Sequence, residues 1–247
     1  MLQRNPIMLE EHNDNPSAIY LSEYLMGLNE GSTFLSNLTD DDLATVRRLG
    51  TKVTVQKGQN LFFQGDKHNG VWIVESGRMR SYYTGPSGRE ITLAYWTPGH
   101  FVGGPEVFGG GLHIWSGDAM EETELLFLSG TTMKRLVREI PDIAIAVIDG
   151  LVYKGKCYSA LIQMLGTRSV SERLEQLLVI LASAQGIHEN NEIIIERSIT
   201  FEQIATIVGA TRQWVTQSFE KLQKRGIVTV NRKNIRIKNI DSLSGMF

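Results

Sequence analysis

The stretch whose reading decides the fold is TFEQIATIVGATRQWVTQSFEKLQKRGIVTVNRKNIRIK, residues 200–238. It opens on Thr200 with Gln203 three residues later. In that pattern a hydroxyl and an amide side chain each accept from the other residue's free backbone N–H at a helix start. Ile204, Ile207 and Val208 then share one face of the helix. Gly209 allows a sharp turn, and Thr211 is placed to cap a second helix. In that helix Val215, Phe219 and Leu222 stand at i, i+4 and i+7, which is an inward face. At about 100° per residue, Gln213, Gln217, Glu220 and Lys224 fall opposite, with Arg212 and Thr216 along a flank. After Gly226, IVTV-NRKN-IRIK reads as a hairpin with a basic tip. The pattern is a helix-turn-helix followed by a wing, its second helix turning amides and a guanidinium outward.

Those groups suit the DNA major groove. Arginine pairs bidentately with guanine, and glutamine with adenine. Arg212, Gln213, Thr216 and Gln217 are the expected base-facing set, with Thr200 and Thr211 at the two helix starts also expected to face DNA. Lys221, Lys224, Arg232 and Lys233 are placed to neutralise phosphates, which gives affinity without sequence choice. Charge follows the same division. Residues 168–247 hold 11 Lys/Arg against 8 Asp/Glu, whereas residues 1–167 hold 14 against 19. A basic end on an acidic body points to a polyanion held by one end only. The plainer alternative is an exposed helix that is merely soluble.

Upstream, FLSNLTDDDLATVRRL places Phe34, Leu35, Leu38, Leu43, Val46 and Leu49 at helical spacing, with Thr39 and the aspartates suiting a helix start. It follows a polar extension with a short amphipathic segment, SAIYLSEYLMGL. From about residue 51 to 130 the texture changes. KVTV, NLFFQ, VWIVES, RMRSYYT, EITLAYW and LLFLS read as strands separated by glycine-bearing turns, an antiparallel sandwich or roll. TMKRLVREI then reads as a short helix stopped before Pro141. The following 25 residues read as one long helix. In it Leu151, Tyr158 and Leu165 are seven apart, with Val147 and Leu161 on the same side, a spacing that suits a dimer seam. Lys154 would be a polar exception in that seam, and Gly150 and Gly155 permit close approach. The alternative is a helix lying on its own domain. Thr167-Arg168-Ser169 reads as a junction, and Ser169 with Glu172 forms another capping box.

Several function classes lose support. Cys157 is the only cysteine, so no intrachain disulfide or multi-thiolate centre is available. His12, His68, His100, His113 and His188 are scattered without metal-ligand spacing, and no metal or other cofactor is expected. No nucleophile elbow, P-loop or dinucleotide fingerprint occurs, so no catalytic residue is assigned and an enzyme is not expected. The N-terminus lacks a signal-peptide core and no apolar run reaches about 18 residues, so a cytoplasmic protein without a membrane partner is expected.

GQNLFFQGD, VWIVESGRMR, LAYWTPGHFVGG, REIPDIAIAV, SVSERL and ITFEQIATIVGATRQWVTQSFEKLQKRGIV together resemble the cyclic-AMP receptor protein / fumarate-nitrate reduction regulator (Crp/Fnr) family over residues 34–240. The resemblance implies an α+β chain. Its parts are an N-terminal extension (1–33), a jelly-roll-like cyclic-nucleotide-binding-type β-roll that senses an effector (34–140), a dimerisation helix (141–166) and a winged helix-turn-helix (167–247). It further implies a homodimer on palindromic double-stranded DNA that recruits or blocks RNA polymerase. Two departures stand out. Cyclic-nucleotide binders of the family carry a Glu for the ribose and an Arg-Ser pair for the phosphate; here FVGGPEVFGGGLHIWSGDAM puts Gly104 and Ile114-Trp115 there. No arginine lies between Arg89 and Arg135, so a cyclic phosphate loses its charge-assisted partner. The expected effector is instead an unidentified small molecule of aromatic or apolar character, met by Gly103, Gly104, Trp115, Tyr158 and Ser159. Trp96, Phe101, His113 and Tyr153 are expected as further lining of that pocket. The alternatives are a degenerate roll that senses nothing and a cyclic-nucleotide site with a divergent pocket. The second departure is Gln213, where the family often has a Glu that reads cytosine; the expected preference moves toward adenine.

Overall fold

The fold is described from a computed structural model, over residues 38–104, 106–190, 192–196, 199–238, 240 and 243. The amphipathic segment at 17–28, Phe34 and Leu35 lie outside these residues. Helix α1 (Asp40–Leu49) starts as its sequence requires: the Thr39 hydroxyl accepts from the Asp42 N–H, and three aspartates occupy the first turn.

Eight strands follow: β1 (Thr51–Val55), β2 (Asn60–Phe62), β3 (Gly70–Ser76), β4 (Met79–Thr84), β5 (Glu90–Trp96), β6 (Phe101–Val102), β7 (Ser116–Ala119) and β8 (Thr123–Ser129). They form two antiparallel sheets, ordered β1-β8-β3-β6 and β2-β7-β4-β5. Val55, Val74 and Leu125 from the first sheet meet Met79, Trp96 and Ala119 from the second in one core, so the sheets face each other. The outer side of the first sheet is also covered. Val71, Ile73, Leu126 and Leu128 pack against α1, α2 (Gly130–Glu139) and α3 (Pro141–Thr167). This double burial explains the unbroken apolar runs VWIV and LLFL in place of alternation. Arg80 on β4 ties its neighbours together, donating to both carboxylate oxygens of Asp118 on β7 (2.9 and 2.8 Å) and reaching Glu90 on β5 at 3.2 Å. The short β6 and β7 were not legible as strands, because Ser-Gly-Asp-Ala carries no apolar period.

The chain turns at Arg168, whose guanidinium donates to the Gln176 side chain, and α4 (Val170–Gln185) opens on the Ser169–Glu172 capping box. A hairpin, β9 (Gly186–Glu189) and β10 (Glu192–Glu196), leads to α5 (Phe201–Val208) and α6 (Arg212–Lys224). β11 (Val228–Val230) and β12 (Asn234–Ile237) then complete a sheet ordered β11-β12-β10-β9. The reading of residues 200–238 as helix, turn, helix and wing agrees with this.

Candidate nucleic-acid interface and sensor interior

The turn between α5 and α6 is built locally. Thr200 and Gln203 form both bonds of the capping box (3.2 and 2.8 Å). Gly209 takes a left-handed conformation at φ 65°, which an L side chain rarely adopts. The Thr211 hydroxyl accepts from Trp214 N–H at 3.2 Å and starts α6. Val215, Phe219 and Leu222 are buried, and Phe219 stacks on Phe201 of α5 at 4.7 Å. That apolar side orients α6 and leaves Arg212, Gln213, Gln217, Lys221 and Lys224 exposed, with Thr200 and Thr211 exposed at the helix starts. Thr216 is half-buried and its hydroxyl donates to Arg212 O at 3.0 Å, so it is less free than its neighbours. Gln223 accepts from Val230 N–H (3.1 Å), joining helix to wing. At the wing tip Asn231 Oδ1 accepts from the backbone N–H of both Lys233 and Asn234 (2.8 Å each), and Arg232 and Lys233 are exposed.

The long helix α3 carries a different exposed face from the one its seven-residue spacing suggests. Val147 and Leu161 are 5% and 4% exposed, and Val147 belongs to the chain's own core. Ile145, Ile148, Val152 and Ile162 are 52–70% exposed instead. With Gly155, Ser159 and Gly166 they follow a 3-4 alternation, a continuous stripe. Leu151, Tyr158 and Leu165 sit half-buried beside it. Lys154 is not in the stripe. It turns to the roll and is 6% exposed. Gly150 is small because Phe101 from the roll lies on it: a Cβ there would stand 2.5 Å from the ring.

In the roll interior, Trp115 meets Tyr158 of α3 with ring centroids 5.4 Å apart, and the buried Tyr158 hydroxyl has no hydrogen-bond partner among the described residues. Burial pushes that phenol well above its usual range. Ser159 lies on the exposed side of α3. Gly103 and Gly104 are buried at φ 133° and 151°, and a Cβ on Gly104 would stand 3.0 Å from His68 Nε2. Ile114 points outward, 54% exposed, while His113 points in. His113 stacks on Phe62 at 3.9 Å and meets the His68 ring, tilted, at 4.4 Å, and neither histidine has a hydrogen-bond partner for its ring nitrogens among the described residues. Burial, reinforced by His68, holds His113 down to about 4. His100 is likewise held down to about 4 by burial and then by the Lys154 charge, while its Nδ1 meets Thr97 O at 3.1 Å. Among the described residues, no three His, Cys, Asp or Glu side chains are grouped to hold a metal ion.

The roll and the DNA-binding part are joined by a buried contact that the sequence did not disclose. Thr92 on β5 donates to the Thr206 hydroxyl on α5 at 2.9 Å, with both side chains buried. Tyr95, also on β5, packs into the core formed by α4, α5, α6 and the wing.

Comparison with known proteins agrees with this architecture. Residues 52–139 match the cyclic nucleotide-binding domain and residues 172–246 the Crp-like helix-turn-helix domain. The global nitrogen regulator of Synechocystis sp. is 26% identical over 221 residues, covering 85% of this chain and 98% of the relative. The CRP-like cAMP-activated global transcriptional regulator of Mycobacterium tuberculosis is 22% identical over 192 residues, covering 78% and 86%. Among solved structures, a CooA mutant from Carboxydothermus hydrogenoformans superposes with a TM-score of 0.69 at 23% identity, covering 87% of this chain and 95% of that one. The c-di-GMP responsive global regulator CLP of Xanthomonas campestris superposes with a TM-score of 0.72 at 18% identity, covering 81% and 100%. No described helix is long and apolar enough to cross a membrane. With a roll, a long helix and a winged helix-turn-helix in one order, and a family match on the roll and on the helix-turn-helix, the chain belongs to the Crp/Fnr family of DNA-binding transcription regulators.

Proposed function

We propose that the chain works as a cytoplasmic homodimer that reads palindromic promoter DNA through α6 and answers to a small molecule bound in the roll. The observation that carries this reading is the division of α6 into a buried Val215–Phe219–Leu222 side and an exposed Arg212–Gln213–Gln217–Lys221–Lys224 side. Two such helices, held about 34 Å apart by the α3 stripes, enter successive major grooves. Arg212, Gln213 and Gln217 read base edges; Lys221, Lys224, Arg232 and Lys233 meet phosphates. The bound dimer then recruits or blocks RNA polymerase, and no reaction is catalysed. Binding-site selection followed by gel shifts tests the reading. A symmetric operator with steep salt dependence is expected; a protein that elutes as a monomer and ignores duplex DNA at low salt would refute it.

The effector is not cyclic AMP. A side chain on Gly104 would start 3.0 Å from His68 Nε2 on a backbone at φ 151° that L residues rarely adopt, Ile114 points away from the roll, and no arginine lies between Arg89 and Arg135. A cyclic phosphate therefore meets no charge-assisted donor in this loop. The similar proteins include, by name, both a cAMP-activated and a c-di-GMP responsive regulator, so the effector varies among them. Titration calorimetry with cyclic AMP is expected to show no submicromolar binding.

A further inference from the structure

Strand β5 runs along α5 toward the turn of the helix-turn-helix. Thr92 on β5 donates to the Thr206 hydroxyl on α5. Three residues back from Thr92 is Arg89, and three residues on from Thr206 is Gly209, where the chain turns toward α6. These two positions meet as well: a Cβ on Gly209 would stand 3.6 Å from Arg89 Nη2. Arg89 ends the tight turn before β5, in which Gly85 N–H donates to Arg89 O at 2.9 Å, and it is exposed. The roll therefore lays a guanidinium on the turn that leads directly to the exposed Thr211 and Arg212.

A second guanidinium lies close to the first. Arg173, near the start of α4, is only 8% exposed, and its Nε is buried with no hydrogen-bond partner among the described residues. Burial lowers the pKa of this group, and the Arg89 charge lowers it further. Among the described residues, no ion pair includes Arg89 or Arg173. Glu90, next to Arg89 in the chain, is held by Arg80 at 3.2 Å. Two like charges placed near one another, one of them buried and unmatched, carry a cost that a shared anion removes. Guanidinium groups favour an oxyanion with several acceptor oxygens, and a phosphate has that form.

We propose that Arg89 and Arg173 form a phosphate site at the seam between the roll and the helix-turn-helix, filled by a backbone phosphodiester of the bound duplex. The proposal rests on the DNA-binding reading given above and adds to it a contact made by the sensor part. A free phosphate offers the same chemistry, but Arg89 is exposed beside the turn into α6, where that reading puts DNA. Affinity for DNA then depends on the seat of β5 on α5, since a roll that moves away from α5 takes Arg89 with it.

The test uses the full-length protein and the operator found by binding-site selection, with single phosphates replaced in turn by neutral methylphosphonates. At one position in each half-site the neutral group is expected to weaken the parent protein several-fold and to leave Arg89→Gln unaffected. On the unmodified operator, Arg89→Gln is expected to bind several-fold more weakly, with the slope of log K against log salt lower by about one. Arg173→Met keeps the aliphatic stem and is expected to lose its response to the same methylphosphonate. Thermal melting in inorganic phosphate, against chloride at equal ionic strength, tests the other source, and no difference is expected. The proposal is overturned if every methylphosphonate affects Arg89→Gln as it affects the parent, or if Arg89→Gln binds as tightly as the parent with the same slope. It is also overturned if phosphate raises the melting temperature of the parent but not of Arg89→Gln, which would make this a site for a free anion. Those outcomes leave DNA binding by the parent intact and remove only this contact. A parent protein that binds no duplex would instead count against the DNA-binding reading itself, and the contact would fall with it.

Discussion

At the scale of single residues, the sharpest expectation concerns Gln213. It is exposed near the start of α6 and its amide both donates and accepts. Gln213→Glu removes the donor, so the preferred base at one operator position is expected to move from adenine toward cytosine, by about 1–3 kcal/mol of discrimination. Selection from a randomised operator measures this, and identical preferences for both proteins would mean that Gln213 reads no base. Lys233, exposed at the wing tip, is expected to act differently. Lys233→Gln is expected to weaken all duplexes alike and to lower the slope of log K against log salt by about one. Gln213 and Lys233 were legible because exposure and charge at helical or hairpin spacing follow from local sequence. Lys154 was not: heptad counting put it in a seam, and only the approach of Phe101 over Gly150 shows that this side of α3 faces inward.

At the scale of elements, the proposed dimer turns on α3. Its exposed stripe runs through Ile145, Ile148, Val152 and Ile162, and large apolar residues at such exposure mark an interaction surface. Ile148→Asp places a charge in that stripe. The variant is expected to elute as a monomer in light-scattering chromatography and to lose operator affinity by about a hundredfold, since the second half-site no longer binds intramolecularly. Val147→Asp would be expected to unfold the protein instead, because Val147 lies in the core with Met133 and Ile143. The stripe was present in the sequence as a 3-4 alternation, but a second apolar set one position away competed with it. A helix apolar on two sides does not reveal which side meets its own domain.

At the scale of the whole molecule, the sensor and the DNA-binding part share a buried contact at Thr92 and Thr206. Thr206→Val leaves the Thr92 hydroxyl without its acceptor and is expected to cost about 1–3 kcal/mol, while the double change Thr92→Val/Thr206→Val is expected to be nearer neutral. Chemical denaturation of the parent, Thr92→Val, Thr206→Val and the double variant gives the coupling directly; purely additive losses would mean that the hydroxyl pair holds nothing together. Acid stability belongs to this scale too. His100 and His113 are held down to about 4, below the ordinary value of 6.5, so the unfolded chain binds their protons first. Their contribution is complete above about pH 6.5 and is lost as pH falls toward 4, so the melting temperature is expected to drop across that window. Lys154 acts in the same direction at higher pH, its contribution growing from about 7 toward its ordinary 10.5. What the sequence determined by itself was the local and the periodic: the capping boxes, the Gly209 turn, the divided face of α6, the strands of the roll and the order of the parts. Each of these depends on residues within a few positions of one another, where spacing alone sets the geometry. What only the tertiary structure decided was which side of α3 is buried, that Ile114 points outward from the roll, and that β5 rests on α5. Those outcomes depend on groups brought together from distant parts of the chain, such as Thr92 and Thr206, 114 positions apart, and no local period records them.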